Sequence, residues 1–283
     1  MTVKPKLGQN FLHDSQAIQR IAASLGDLAG RTVIEIGPGR GAITGALAAN
    51  ARHVVAVELD PEMAAVIRAQ FPAEKVTVAG QDVLRFDFAA IAENFPNAAE
   101  IGSSRLLVVG NLPYYITSPI LLKLAENHAF IDRAVLMVQR EVADRVTAEP
   151  GSRDYGLLSV TAQMYGPAQN LFTLPPSAFA PPPKVFSTVF RWRFAPRFAE
   201  LQVEETTFTR FLRQAFAQKR KTLANNLRAA AFPAAAVSAA LANAEIPAQA
   251  RAEALSIESL AALWRCLQTA TAASPDAAAV AQS

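Results

Sequence analysis

The sequence predicts an α/β fold built on a doubly wound parallel sheet, followed by a small all-helical domain. Three observations carry this. Apolar strand-like segments alternate with helical ones from Arg31 to about Val138. A glycine-rich turn follows the first of those strands, and no strand signal remains beyond Pro196. Strands with continuous apolar character, separated by helices, belong to a sheet covered on both faces.

The elements follow in order. "TVIEIG" is a buried strand, and "GAITGALAAN" has helical spacing. "HVVAVELD" is a strand, and "PEMAAVIRAQF" is a helix with Pro61 in the first turn, where proline is favoured. "KVTVAG" and the short helix "FAAIAENF" come next. "RLLVVGN" is a strand; "SPILLKLAEN" is a helix with Ser118 expected as its cap. "RAVLMVQ" is a strand, and the helix "REVADRVTA" follows. After Gly151 the pattern changes, and "QNLFTLP" and "STVFRWRF" read as two closing strands around "PPSAFAPPPKV". "FTRFLRQAFAQKRKTLANNLRAAAF" carries an apolar helical stripe through Phe208, Phe211, Leu212, Ala215 and Phe216. The expected division is a domain of residues 1–198, a helical domain of residues 199–269 and a disordered tail of residues 270–283.

At 51% hydrophobic and 18% charged residues, the 283-residue chain has enough apolar sequence for a full core. A single cysteine, Cys266, excludes an intrachain disulfide framework. The scattered His13, His53 and His128 lack metal-ligand spacing, so no metal is expected. No apolar run is long enough for a membrane span and no signal-peptide core is present, so a cytoplasmic protein is expected. The net charge is +3, yet residues 184–228 hold ten Lys/Arg and three Glu, a local +7 that leaves −4 elsewhere. A basic region beside a mildly acidic domain suits a polyanionic partner, although a solvated helix face would read the same way.

Gly37, Gly39 and Gly41 would let the backbone turn sharply and let a ligand approach closely. Glu58 ends the second strand, where a carboxylate can accept both hydroxyl protons of a ribose. Asp82, after the third strand, is placed to meet an adenine edge. The glycines alone leave open an NAD-type site, an S-adenosylmethionine-type site and a purely structural turn, since Gly37-x-Gly39-x-x-Ala42 also satisfies the relaxed dinucleotide pattern.

The fourth strand ends in Asn111-Leu112-Pro113-Tyr114, which resembles the motif of amino-group methyltransferases and, as "NLPY", the version in the KsgA/RsmA family of ribosomal RNA adenine dimethylases. "KLGQNFLHD", "IEIGPGRGAIT", "VELD", "QDVLRFDF", "FAPPPKVFSTV" and "FAQKRKTLANNL" resemble further segments of that family, in the expected order over residues 4–265.

The resemblance implies a Rossmann-like class I methyltransferase domain with a seven-stranded sheet, the last strand antiparallel. It implies S-adenosylmethionine as cofactor, with Asn10, Leu12, Gly37, Gly39, Glu58, Asp82 and Asn111 around it. The implied substrate is a pair of adjacent adenosines in the 3′-terminal hairpin loop of small-subunit rRNA, and a role in small-subunit biogenesis comes with it. The expected partner is the immature small subunit and the expected state a monomer.

Adenine's exocyclic nitrogen is a poor nucleophile because its lone pair is delocalised into the ring. Asn111 and a main-chain carbonyl near Leu112–Pro113 could grip its two N–H groups, Pro113 would stiffen the turn, and Tyr114 would stack on the base. The adenine must be unpaired or flipped to enter. Phe179, in the proline-rich loop, is expected as the opposite wall of a sandwich with Tyr114, a core position being the alternative. The helical cluster Lys219, Arg220 and Lys221 is expected to meet RNA phosphates, as is Lys184, for which simple solvation is the alternative. Competing readings are a large-subunit dimethylase of the antibiotic-resistance type, a non-catalytic ribosome-binding factor of the same fold, and an NAD-dependent oxidoreductase.

Overall fold

The computed structural model describes residues 10–95 and 105–272. Contacts divide the chain into two compact units: the residues through Asp144 with Tyr165–Ala195, and Arg145–Met164 with the residues from Pro196 onward.

The first unit opens with a two-residue strand β1 (Phe11–Leu12) and helix α1 (Ser15–Ser24), capped by the Asp14 carboxylate on the Ala17 amide. The core alternation then runs through β2 (Thr32–Ile36), α2 (Ala42–Asn50), β3 (His53–Val57), α3 (Pro61–Gln70), β4 (Val76–Ala79), α4 (Phe88–Asn94), β5 (Leu106–Asn111), α5 (Thr117–Glu126), β6 (Ile131–Gln139) and α6 (Arg140–Val146). Each expected strand of the alternation is present. Helix α5 begins at Thr117, one residue before the expected cap Ser118, and the Thr117 hydroxyl donates to the Pro113 carbonyl.

Past α7 (Leu157–Tyr165) come β7 (Ala168–Leu174), the two-residue β8 (Phe179–Ala180) and β9 (Ser187–Arg193). The seven-stranded sheet has the order β4-β3-β2-β5-β6-β9-β7. Strands β2 to β6 are mutually parallel, and β9, last in sequence, lies antiparallel between β6 and β7. Central strands β2, β3 and β5 are almost wholly buried, which explains their mostly apolar sequence. A separate two-stranded ribbon pairs β1 with β8, Leu12 opposite Phe179.

The second unit contains α8 (Glu205–Ala215), α9 (Leu223–Ala229), α10 (Ala234–Asn243) and α11 (Ile257–Ala272). Three expectations change here. The boundary is not a single cut near residue 199, because Arg145–Met164 belongs to the helical unit: the Gly151 amide donates to the Glu253 carbonyl, and the Tyr155 ring meets Phe216. Residues 270–272 of the expected tail continue α11, and residues 273–283 lie outside the described residues. Finally, the long basic helix is two helices. It breaks at Phe216–Lys221, where the Asn226 side chain donates to the carbonyls of Ala215 and Gln218, and Thr222 caps α9 on the Asn225 amide. Among the described residues, no helix is long and apolar enough to cross a membrane.

Candidate active site

The carboxyl ends of β2, β3, β4 and β5 converge on a cavity of about 270 Å³ in the first unit. Open α/β sheets bind ligands at this edge. Of the residues expected there, Asn10, Leu12, Gly37, Gly39, Glu58, Asp82 and the whole Asn111–Tyr114 turn line the cavity.

The glycine loop is shaped by two close approaches. Gly39 has φ +55°, and a Cβ there would stand 3.0 Å from the Phe11 ring. Gly110, just before Asn111, lies where a Cβ would meet the Ile36 carbonyl at 2.9 Å, so β5 reaches β2 only without a side chain.

Glu58 is 5% exposed. Its Oε2 accepts the Gly39 amide at 3.1 Å and its Oε1 the Asp60 amide at 2.9 Å. Both oxygens are thus oriented by backbone donors. The same contacts take the Gly39 N–H, one of the donors a diphosphate would need from a dinucleotide loop. Asp82 uses one oxygen to accept the Leu84 amide at 2.9 Å, holding the short turn after β4.

Glu35 also lines the cavity and was not picked out from the sequence. It is buried, accepts the Thr44 hydroxyl at 2.6 Å, and has its pKa raised to about 7 by burial, with the Glu58 charge pushing the same way. The available signal was a carboxylate inside the apolar run "TVIEIG", immediately before the glycine loop. Two carboxyl groups facing one cavity suit a cationic ligand better than a diphosphate.

At the β5 end the Asn111 amide nitrogen donates to the Asn10 carbonyl at 3.1 Å. The Pro113 carbonyl accepts both the Ile116 amide and the Thr117 hydroxyl. The Tyr114 hydroxyl lies 3.1 Å from that of Ser187, which fixes the half-buried ring at the cavity wall.

Phe179 is a correction. It is 2% exposed, packs in the core with Leu12, Leu174, Ala178 and Val189, and does not line the cavity; its neighbour Ala180 does. The β1–β8 pairing turns the Phe179 side chain into the core. The exposed aromatic at the cavity is instead Tyr115, 63% exposed.

Lys184 is exposed in the loop after β8. In the second unit, Lys219, Arg220 and Lys221 are exposed in the turn between α8 and α9, not on a helix, and the Lys219 ammonium donates to the Arg153 carbonyl at 3.0 Å.

The ribosomal RNA adenine dimethylase family model matches residues 1–269. A relative named ribosomal RNA small subunit methyltransferase A, from Acidobacterium capsulatum, is 57% identical over 94% of this chain and 91% of its own length. The protein of the same name from Koribacter versatilis is 46% identical over 94% of each chain. Among solved structures, the 23S rRNA methyltransferase ErmE superposes with a TM-score of 0.68 at 26% identity, over 92% of this chain and all of its own. A dimethyladenosine transferase from Plasmodium falciparum gives 0.76 at 22% identity, over 92% and 98%, a likeness of fold. With its cavity at the sheet edge and its NLPY turn, this chain belongs to the ribosomal RNA adenine dimethylase family.

Proposed function

We propose that this chain transfers methyl groups from S-adenosylmethionine to the N6 amino groups of two adjacent adenosines in the 3′-terminal hairpin loop of small-subunit rRNA. The observation that carries the reading is the Asn111 amide at the cavity, with its nitrogen committed to Asn10. That commitment turns Oδ1 into the free end, an acceptor for an amino group.

Glu58 fits the ribose hydroxyls of the cofactor, Asp82 its adenine edge, and Glu35 with Glu58 gives the negative surroundings that suit its cationic sulfonium and ammonium groups. When bound, the cofactor supplies an electrophilic methyl group. The protein's part is to present the nitrogen. Oδ1 of Asn111 accepts one N–H, and the Leu112 carbonyl accepts the other, since the Pro113 carbonyl is used within its own turn. Gripping both N–H groups favours the tetrahedral nitrogen and localises its lone pair. The nitrogen becomes acidic on methylation and releases its proton to water, so no base is required beforehand. Tyr114 offers its face to the ring, and its hydroxyl contact with Ser187 keeps that face in place.

The small subunit is favoured over the large one by the relatives at 57% and 46% identity, against 26% for ErmE. A cytoplasmic location goes with that substrate; a monomer is checked by sedimentation. The test is incubation with methyl-labelled S-adenosylmethionine and immature small or large subunits, followed by mapping of the label. Dimethyladenosine at two adjacent positions of the small-subunit hairpin is expected. Label confined to large-subunit rRNA, or none in either, overturns the reading.

A further inference from the structure

Phe186, in the loop between β8 and β9, is 45% exposed, and Val185 before it is 42% exposed. The Phe186 ring meets the Arg140 guanidinium, whose carbon lies 5.4 Å from the ring centroid. That is within cation–π range. The Arg140 amide donates to the Phe186 carbonyl at 3.0 Å, so the backbone holds the pair together. Arg140 is exposed and forms no ion pair among the described residues. Lys184, two residues before Phe186, adds a second exposed cation.

The next residue joins this surface to the site. Ser187 is buried and its hydroxyl meets that of Tyr114 on the cavity wall. An exposed aromatic ring with an unneutralised cation over it therefore stands one residue from the Tyr114 anchor. A ring beside positive charge, one residue from the Ser187 hydroxyl that meets Tyr114 on the cavity wall, suits an unstacked nucleotide of a single strand.

We propose that Phe186, supported by Arg140, is a stacking platform for the nucleotide next to the adenosine that enters the cavity. Drawing one base out of a strand strips its neighbour of a stacking partner. The Phe186 face replaces that partner and keeps the strand open while Asn111 and Tyr114 engage the target. Phe186 is a positioning residue: it touches the flanking nucleotide and not the reacting atoms. Because any base has a face to stack, the contact responds to the presence of a neighbouring base and not to its identity. The proposal rests on the rRNA adenine reading of the cavity.

The test pairs Phe186→Ala and Phe186→Trp with reconstituted small subunits whose rRNA is intact, or abasic at the position immediately 5′ or 3′ of the adenosine pair, methylation being read at the adenosine next to the abasic position. Single-turnover methylation is followed against substrate concentration. On intact rRNA, Phe186→Ala should raise the half-saturating concentration about 5- to 100-fold, and Phe186→Trp should restore it. On one of the two abasic substrates the parent should lose a similar factor and Phe186→Ala nothing more. Cofactor affinity and thermal unfolding midpoint should match the parent, because the side chain is exposed. A full Phe186→Ala penalty on both abasic substrates, or no penalty on intact rRNA, overturns the proposal while leaving the enzyme reading standing. A parent protein that methylates none of these substrates sinks the underlying reading instead.

Discussion

The Asn111 side chain donates to the main-chain carbonyl of Asn10 at 3.1 Å, across 101 residues of sequence. This bond ties the segment leading into β1 to the NLPY turn and fixes which end of the amide faces the cavity. Asn111→Ala should lower single-turnover methylation by about 10²–10³-fold, the range for losing one placed polar contact in a transition state. RNA affinity should hold, because in the proposed reading the amide meets the reacting nitrogen and not the phosphates. Asn111→Asp tests the orientation: its second oxygen would confront the Asn10 carbonyl, so it should not rescue. Methylation by Asn111→Ala at the parent rate would show that NLPY only terminates a strand.

Glu58 has a double task in this geometry, holding the Gly39 and Asp60 amides and facing the cavity. Glu58→Ala should weaken S-adenosylmethionine binding by about 1.5–3 kcal/mol, the scale for a hydrogen bond to a charged group. Titration calorimetry reads this directly. Undiminished cofactor affinity, or tight NAD binding by the parent, contradicts the assignment.

Glu35 should make binding of S-adenosylmethionine depend on pH. Burial raises its pKa to about 7 from an ordinary 4.5. A cationic ligand nearby favours the ionised form, so binding below pH 7 must expel a proton and affinity should climb as pH rises from 6 to 8. Stability without cofactor runs the other way. The unfolded carboxyl ionises near 4.5 and the folded one near 7, so the contribution of this group is complete below 4.5 and lost as pH rises through 7. Glu35→Gln should flatten both trends. A parent whose cofactor affinity is level from pH 6 to 8 would mean that Glu35 does not sense the ligand.

The alternation of strands and helices, and the placement of the glycine loop, Glu58, Asp82 and NLPY at the strand ends around one cavity, were legible because each rests on a local pattern: a run of apolar residues, or a fixed position at a strand end. The features that escaped depend on distant partners. Strands β1 and β8 have two residues each, too short for any periodicity, and exist only through pairing between Phe11–Leu12 and Phe179–Ala180. The break at Phe216–Lys221 is hidden by apolar spacing that continues on both sides, while the Asn226 side chain that satisfies the free carbonyls of α8 lies 11 residues from Ala215. Residues 145–164 carry no sign that their contacts are with helices 50 to 100 residues further on. Glu35 carries only a weak local signal, since one acid in a buried strand is more often a packing oddity than a site.

The core position of Phe179 makes it a determinant of stability. With its side chain in the buried cluster that also holds Leu12 and Val189, Phe179→Ala should destabilise the fold by about 3–5 kcal/mol, as for other buried phenylalanines. Phe179→Leu should retain most of that stability and, at a temperature where it is fully folded, most of the methylation rate. Chemical denaturation beside single-turnover assays separates the effects. A Phe179→Ala protein as stable as the parent but without turnover would return this residue to the target base.

The basic turn carries the last prediction. Lys219, Arg220 and Lys221 stand consecutively in the connection between α8 and α9, all exposed. A helix would spread three such residues around most of its circumference, whereas a turn can present neighbouring charges to one strand of phosphates. Their mutual repulsion gains nothing from the fold alone; only the Lys219 ammonium has a described hydrogen bond, to the Arg153 carbonyl. Contacts of this kind supply affinity and register but no choice of base. Replacing all three with Gln should weaken binding to small-subunit rRNA and reduce the magnitude of its log–log salt slope by roughly 2 to 3, as two or three fewer phosphates are neutralised. S-adenosylmethionine affinity should not change, because among the described residues those that line the cavity all belong to the first unit. The competing view, that the cluster merely keeps the turn hydrated, predicts an unchanged slope in the triple mutant, and filter binding across a range of salt concentrations decides between the two.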